Sequence, residues 1–271
     1  SLFPALSTAF PTVFKAEDFT YALFLWARLI FDTRCITVKF PGSRDVTCLV
    51  PWADMCNHHA NAQVSKPLLD DDAKHLVFSS IASIPKGAQV YLNYGPLDNT
   101  QLLLYYGYAV EKNDYETIGV LLEGPDEEDD PLASMKALMM AHCNLPTQHM
   151  LRGQETSFSP RLLATLRILL LEKTHLEAAA AQGIEPEVRA INAENEHAVL
   201  AALTGVVDSS LEAFSTSIEE DEELLLDEQS IRGFLRCVII YRRGLKRILL
   251  DTRSIIEEMT RNLVASAGLG K

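Results

Sequence analysis

The segment PWADMCNHHA, residues 51–60, brings a carboxylate, a thiol, an amide and two adjacent imidazoles together after an apolar run. A second segment, KGAQVYLNYG at residues 86–95, ends a β-type run with a tyrosine and a glycine. Taken alone, the first segment fits three kinds of site. These are a metal site, a nucleophile with its base, and a site that needs an amide and an imidazole side by side.

The spacing disfavours the first two kinds of site. Asp54, Cys56, His58 and His59 carry metal-binding groups, but tetrahedral sites usually draw ligands from separated elements, and adjacent histidines rarely converge on one ion. We therefore predict no metal. Cys56 has no glycine-rich elbow or helix N-terminus beside it to activate its thiol, so we interpret it as a small core residue.

Composition limits the class of protein and of partner. The 271 residues carry 37 acidic against 24 basic side chains and a formal net charge of -13. Such a chain repels a phosphate backbone, so we expect no nucleic acid partner, and a basic protein or peptide fits better. The acidic runs at residues 126–130 and 219–223 are predicted to be solvated loops. No apolar stretch approaches the ~20 residues that span a bilayer, so no membrane association is expected.

The five cysteines are odd in number and show no CxxC pair, which is typical of a reducing compartment. We expect an intracellular protein, with chloroplast, cytoplasm and nucleus all open.

Hydrophobic periodicity divides the chain into a mixed half and a helical half. Before residue 123 we predict a helix over 17–30, a hairpin from CITVKF and DVTCLV, strands within 75–80, 89–94 and 115–123, and a helix that ends at Gly107. From Leu132 onward the pattern is helical with almost no β signal, with helices starting at Ser159, running over 194–214 and beginning near Asp227. We place a domain boundary in the acidic, proline-flanked stretch 124–131, which gives domains 1–123 and 124–271.

The Asn57–His58 pair, followed by the run that contains Tyr94, resembles the SET-domain methyltransferases. The segments EDFTYALFLWA, DMCNH, NTQLLLYYGY and STSIEEDEELL are similar to the Rubisco large-subunit methyltransferase branch, which includes the actin-histidine methyltransferase. The resemblance implies an α+β protein: a knotted SET-type β-fold with an inserted helical segment, followed by an all-α substrate-binding domain. Residues 1–14 contain no glycine-rich GxG cofactor loop, so we expect the C-terminal part of a SET domain with its N-terminal strands missing.

The same resemblance implies the residues of an S-adenosylmethionine site. Tyr94 is expected to be catalytic, with its hydroxyl at the mouth of the channel through which the methyl group passes. The implied cofactor-binding residues are Arg34, Asp54, Met55, Cys56, Asn57, His58 and Tyr108. Positioning matters more than acid–base strength in this chemistry, because the methyl of a sulfonium is already activated.

Three implied substrate-binding positions favour lysine over histidine as the target. Where the actin-histidine enzyme has an asparagine that can bond an imidazole, this sequence has Ile36; where it has a small residue, this sequence has Tyr106; and where it has an arginine, this sequence has Leu97. We therefore expect a monomeric protein-lysine N-methyltransferase that acts on a non-histone protein docked on the helical domain. The alternatives are a protein-histidine N-methyltransferase and a non-catalytic protein-binding module.

Overall fold

The structure is a computed structural model, and it describes residues 2–40, 45–70, 72, 75–126, 128, 130–153, 159–173 and 190–267. It has the expected α+β composition and forms two compact units. The first unit comprises Ser1–Leu97 with Leu104–Tyr106, and the second comprises Asp98–Leu103 with Gly107–Lys271. The domain boundary at residue 124 stays a prediction.

The first unit is built from two helices and short strands. They are α1 (Leu2–Ala9), α2 (Tyr21–Arg34), β1 (Ile36–Lys39), β2 (Asp45–Cys48), β3 (Asn57–His58), β4 (Leu68–Leu69), β5 (Leu76–Val77) and β6 (Tyr91–Leu92). The hydroxyl of Thr20 accepts a hydrogen bond from the Leu23 backbone N–H, so α2 begins slightly later than predicted. Its apolar side chains are not buried, and Trp26 is 62% exposed.

Strand pairing in the first unit brings the two polar segments together. The predicted hairpin is confirmed, since β1 and β2 pair antiparallel with Ile36 opposite Cys48, and β4 pairs with β5 in the same sense. β3 and β6 pair in parallel, with Asn57 opposite Tyr91 and His58 opposite Leu92. The amide–imidazole pair of the first segment therefore lies beside the strand that leads into Tyr94.

The second unit contains most of the helices. Its elements are β7 (Thr117–Leu121), α4 (Ala133–His142), β8 (Gln148–Arg152), α5 (Pro160–Leu169), α6 (Ala193–Glu212), α7 (Ile218–Leu226) and α8 (Gly233–Ala267). A helical turn, α3 (Asn99–Gln101), continues as the π-helical segment Leu102–Tyr106, which joins the two units. Gly107 ends it as predicted, at a φ of 78° that suits glycine.

A leucine-rich core holds the second unit together. α8 packs against α6, α7, β7 and β8. The buried residues of this core are Val120, Leu122, Leu151, Leu162, Leu166, Val199, Leu200, Leu203, Val207, Ile248, Leu249 and Ile256. The long helix α8 contributes Ile248, Leu249 and Ile256 to this core, and a separate buried cluster lies between α4 and α5.

Two local predictions for this half were wrong. The chain after Leu132 was predicted to lack strands, yet β8 pairs antiparallel with β7 over Thr117–Leu121. The acidic run 219–223 was predicted to be a solvated loop, yet it lies in α7, which begins with a capping box between Ser217 and Glu220. Asp221 in this run is completely buried.

Most other predictions for the second unit are confirmed where the structure describes them. Ser159 caps α5, and Pro160 occupies its first turn. The sequence predicted that this helix continues through the alanine run that ends at residue 181, but α5 ends at Leu169. The part of that continuation beyond residue 173 lies outside the described residues. Helices form over 193–212 and from residue 233 onward. All five cysteines are free thiols, and no helix within the described part of the chain is long and apolar enough to cross a membrane.

Candidate active site

A cavity of about 1090 Å³ lies within the first unit. It exceeds the roughly 300–1,000 Å³ of ordinary small-molecule sites, so it has room for more than one bound group. Six of the predicted site residues line it, namely Arg34, Ile36, Asp54, Cys56, Tyr94 and Tyr106. They come from the end of α2, from β1, from the turn before β3, from the end of β6 and from the π-helical segment.

Tyr94 is held at this cavity by its hydroxyl group. Its O–H donates to the backbone carbonyl of Cys56 at 2.6 Å, and its ring lies 5.1 Å from the ring of Tyr106 between centroids. Burial raises the pKa of the Tyr94 phenol, with contributions from Tyr106 and Cys56, while Arg34 acts in the opposite sense. The phenol is therefore neutral at physiological pH, and its oxygen keeps lone pairs free to accept weak hydrogen bonds.

Arg34 and Asp54 place opposite charges on the cavity wall. Arg34 is the last residue of α2, and its Nη1 donates to the carbonyl oxygen of Asp54 at 2.9 Å. The same nitrogen lies 3.5 Å from Asp54 Oδ2 and 3.7 Å from the sulfur of Met55. Both charged side chains remain partly exposed, so each can still bind a ligand group of opposite charge.

The two adjacent histidines have different partners. Nδ1 of His58 accepts a hydrogen bond from the backbone N–H of Tyr94 at 3.0 Å, while Nδ1 of His59 accepts one from Asn61 N–H at 3.0 Å. Burial lowers the pKa of His58, and a charge on His59 lowers it further. No cluster of three or more His, Cys, Asp or Glu side chains suited to a metal ion occurs in the described ranges.

The remaining predicted residues do not line the cavity. Met55 is 69% exposed, Asn57 is exposed on β3, and Leu97 follows Gly95, with its N–H donating to the Gly95 carbonyl at 3.0 Å. Tyr108 belongs to the second unit, so its implied contact with adenine stays a prediction, as do the roles of the others.

Two features of the site were interpreted wrongly or missed. Cys56 is not a core residue, because it is only half-buried and lines the cavity. Asn93 was not singled out, yet its Nδ2 donates to the Ala60 carbonyl at 2.9 Å and its Oδ1 accepts from Gly95 N–H at 2.7 Å. An asparagine directly before a tyrosine–glycine pair was the available signal, because asparagine side chains often bond nearby backbone in turns.

Comparisons with known proteins support the same picture. Residues 127–249 match the family model described as Rubisco LSMT substrate-binding. The actin-histidine N-methyltransferase of Mus musculus is 30% identical over 247 residues, which cover 86% of this chain and 40% of the relative. The Homo sapiens protein of the same name is 29% identical over 247 residues, with the same shares of each chain covered. The chain thus spans 40% of the length of these relatives.

Solved structures resemble the chain over nearly its whole length. The SET domain of LSMT bound to lysine and AdoHcy superposes with a TM-score of 0.69 at 22% identity, covering 96% of this chain and 61% of that one. Rubisco LSMT bound to AdoMet superposes with a TM-score of 0.66 at 23% identity, covering 95% and 60%. The fold is therefore that of the SET domain of LSMT with its helical C-terminal region. In sequence and in fold, the chain is similar to the branch of SET-domain proteins that contains Rubisco LSMT and actin-histidine N-methyltransferase.

Proposed function

We propose that the protein containing this chain is an S-adenosylmethionine-dependent protein N-methyltransferase and that its target is a lysine side chain. The observation that carries the proposal is the arrangement of Tyr94. Its hydroxyl is tied to the Cys56 carbonyl, and its ring lies against Tyr106 at a cavity that also contains Arg34 and Asp54. When bound, the cofactor supplies a methyl group on a positively charged sulfur.

The residues of the cavity fit such a cofactor. Its amino acid end carries a carboxylate and an ammonium group, and the partly exposed guanidinium of Arg34 and carboxylate of Asp54 offer the complementary charges. Asn57 lies on β3, directly after the cavity-lining Cys56. Its amide has both donor and acceptor groups, which suit the remaining polar groups of the cofactor. The structures of Rubisco LSMT bound to AdoMet and to AdoHcy support this assignment.

Tyr94 would act through orientation. Its phenol proton is donated to the Cys56 carbonyl, so its oxygen and that carbonyl would offer a pair of acceptors to the methyl group of a bound cofactor. Acceptors held in place favour a transition state in which positive charge spreads over the methyl hydrogens. The nitrogen–carbon bond forms as the carbon–sulfur bond breaks, and the positive charge passes from sulfur to the target nitrogen.

The cavity wall favours a lysine target. A lysine must lose a proton before it can attack, and an apolar wall disfavours the ammonium form by removing its hydration. Ile36 and Tyr106 both line the cavity, and burial also raises the pKa of the Tyr106 phenol, as expected for a poorly hydrated wall. The Rubisco LSMT structures with bound lysine and monomethyllysine support the same assignment.

Histidine methylation is the second candidate. It is favoured by sequence identity, which reaches 30% with an actin-histidine N-methyltransferase, against 22–23% with the Rubisco LSMT structures. A protein such as actin would then dock on the helical unit, where residues 127–249 match the Rubisco LSMT substrate-binding family. The same family match supports a protein partner for a lysine methyltransferase.

The test uses the full-length protein, methyl-labelled S-adenosylmethionine and arrays of matched peptides that differ only in lysine or histidine at the centre. We expect label on lysine, and an Ile36→Asn variant should raise the ratio of histidine to lysine labelling by roughly fivefold, since one recovered hydrogen bond is worth about 1 kcal/mol. Leu49, which lies outside the cavity, provides the control Leu49→Asn. Label on histidine alone would favour the second candidate. No transfer to any peptide or protein, with intact folding, would favour a non-catalytic binding module.

A further inference from the structure

Just beyond the pairing of β3 with β6, the side chain of His58 accepts a hydrogen bond from a backbone N–H that would otherwise need a backbone carbonyl. The ladder ends at His58 opposite Leu92, and the Leu92 carbonyl then accepts from His59 N–H at 3.0 Å. Two residues further along the second strand, the Tyr94 N–H is satisfied by a ring nitrogen, Nδ1 of His58, at 3.0 Å. The backbone of Tyr94 is thus fixed by an imidazole.

The two rings are also in contact. The centroid of the His58 ring lies 5.1 Å from that of Tyr94, with 43° between their planes. The Tyr94 ring also contacts Tyr106, at 5.1 Å between centroids, and its hydroxyl donates to the carbonyl of Cys56. A change at His58 is therefore transmitted to the phenol through both the backbone and the ring.

The hydrogen bond exists in one protonation state of His58. Nδ1 can accept from an N–H only when it carries no proton itself, so the ring must be neutral with its proton on Nε2. A second proton would place two donors, Nδ1–H and the Tyr94 N–H, against each other. The contact would be lost, and the amide of Tyr94 would have no partner in its present position.

The groups around His58 do not stabilise its charged form. His59, on the same strand, adds like charge when protonated, and Tyr94, at the end of β6, is a neutral phenol. The carboxylate of Asp54, four residues earlier in the chain, is paired with Arg34. Burial lowers the pKa of His58 from its ordinary value, so the acceptor form is present at pH 7 and is lost only as the pH falls through the lowered pKa.

We propose that His58 is a positioning residue that orients Tyr94 through its Nδ1 hydrogen bond, and that methyl transfer requires the neutral imidazole. This inference rests on the methyl transfer proposed above. It assigns to the His58 side chain a role separate from the cofactor contact expected of this position.

The first experiment compares pH profiles of kcat and of KM in the full-length protein, between pH 5 and 8.5, with methyl-labelled S-adenosylmethionine and the best-labelled peptide of the array. In the wild-type protein, kcat should fall as the pH is lowered, with the slope expected for the uptake of one proton by His58. In His58→Asn, the Oδ1 atom can accept at every pH, so the part of the acid limb that is due to this residue should disappear, whatever the absolute rate of the variant. His58→Leu should lower kcat by about 10- to 100-fold at pH 8 with little change in the KM of the peptide.

His59 provides a matched control on the next residue. Its Nδ1 also accepts a backbone N–H, from Asn61, and its ring also contacts a tyrosine, Tyr91, at 5.4 Å. His59→Asn should keep full activity at pH 8 and keep the acid limb, moved slightly to higher pH because a like charge is gone. The proton that a substrate lysine must lose contributes to the acid limb of every variant, so the comparison with wild type carries the test. An acid limb in His58→Asn that is identical to that of wild type, or a limb in His59→Asn that is reduced as much as in His58→Asn, would overturn the proposal.

The second experiment does not depend on catalysis. In ¹⁵N-tyrosine-labelled protein, the Tyr94 amide is assigned by its absence from the spectrum of Tyr94→Phe. Its proton shift should follow the titration of His58 in wild type and should be constant with pH in His58→Asn. If no peptide is methylated but this amide titrates, the proposed function fails and the hydrogen-bond switch stands. An amide shift that ignores the titration of His58 overturns the switch, whether or not the protein methylates.

Discussion

Replacement of Asp221 by alanine should destabilise the second unit more than any change at its surface charges. The carboxylate is completely buried on α7 and is bonded to Lys246 Nζ at 2.7 Å, to the guanidinium of Arg242 and to the hydroxyl of Thr216 at 3.0 Å. Lys246 is itself only 2% exposed. Removing the anion would leave the Lys246 ammonium buried, with the Thr216 hydroxyl and the Ser217 carbonyl as acceptors but no opposite charge.

The expected cost of Asp221→Ala is about 3–5 kcal/mol, the range found when one partner of a buried ion pair is removed. With an m-value of about 3 kcal/mol/M, the urea midpoint should fall by roughly 1–1.7 M. The adjacent residue gives the control, because Glu222 pairs with Arg247 while both side chains stay nearly half exposed. Glu222→Ala should cost no more than about 1 kcal/mol.

The double variant Asp221→Leu with Lys246→Met distinguishes two contributions to the loss of stability. One is the missing attraction between the two side chains, and the other is the cost of leaving Lys246 buried without a negative partner. Removing both charged groups should recover much of the stability lost in the single variant, because a buried pair is weakly stabilising as a whole. Unfolding is followed by far-UV circular dichroism at pH 7. If Asp221→Ala shifts the midpoint no more than Glu222→Ala does, the reasoning from burial is refuted.

Two buried titratable groups of the second unit give stability changes with pH of opposite sign. Burial lowers the pKa of His149, with a hydrogen bond to Pro146 acting against this and the charge of Arg161 adding to it. The contribution of His149 to stability is therefore present above pH 6.5 and is lost as the pH falls. His149→Gln should show a smaller fall in the urea midpoint between pH 7.5 and 5 than wild type does. Burial raises the pKa of Glu116 to about 7, so its contribution is fully present below pH 4.5 and is lost as the pH rises through 7. Glu116→Gln should therefore raise the urea midpoint at pH 8 and leave it nearly unchanged at pH 5, and equal shifts at both pH values would contradict this assignment.

The sequence was sufficient to predict the elements that depend on local chemistry. The hairpin of β1 and β2, the cap at Ser159 and the helix end at Gly107 follow from turn and capping residues, and all three are present. The association of the segment around Asn57 with the one around Tyr94 was predicted from the family resemblance rather than from spacing. The structure brings these segments together through the parallel pairing of β3 and β6.

The features that were missed depend on contacts between distant residues. An acidic run is usually solvated, and nothing near Asp221 in sequence reveals that Lys246 and Arg242, a turn apart on α8, will bury it. β8 reads as a polar–apolar mixture and forms because β7 offers a complementary edge. The Nδ1 contact of His58 likewise needed coordinates, since a sequence does not say which ring nitrogen faces which backbone group.

The short pairing of β3 with β6 affects which part of the protein opens first on heating. Two parallel strands of two residues each close a chain excursion of more than thirty residues, with a few side-chain bonds from His58, Asn93 and Tyr94 added to the pairing. Opening this junction recovers the entropy of that loop at the cost of a small number of hydrogen bonds. Local opening of this kind costs less than unfolding the leucine-rich helices of the second unit. Mild heating should therefore separate the amide–imidazole pair from its tyrosine while the helical half is still folded.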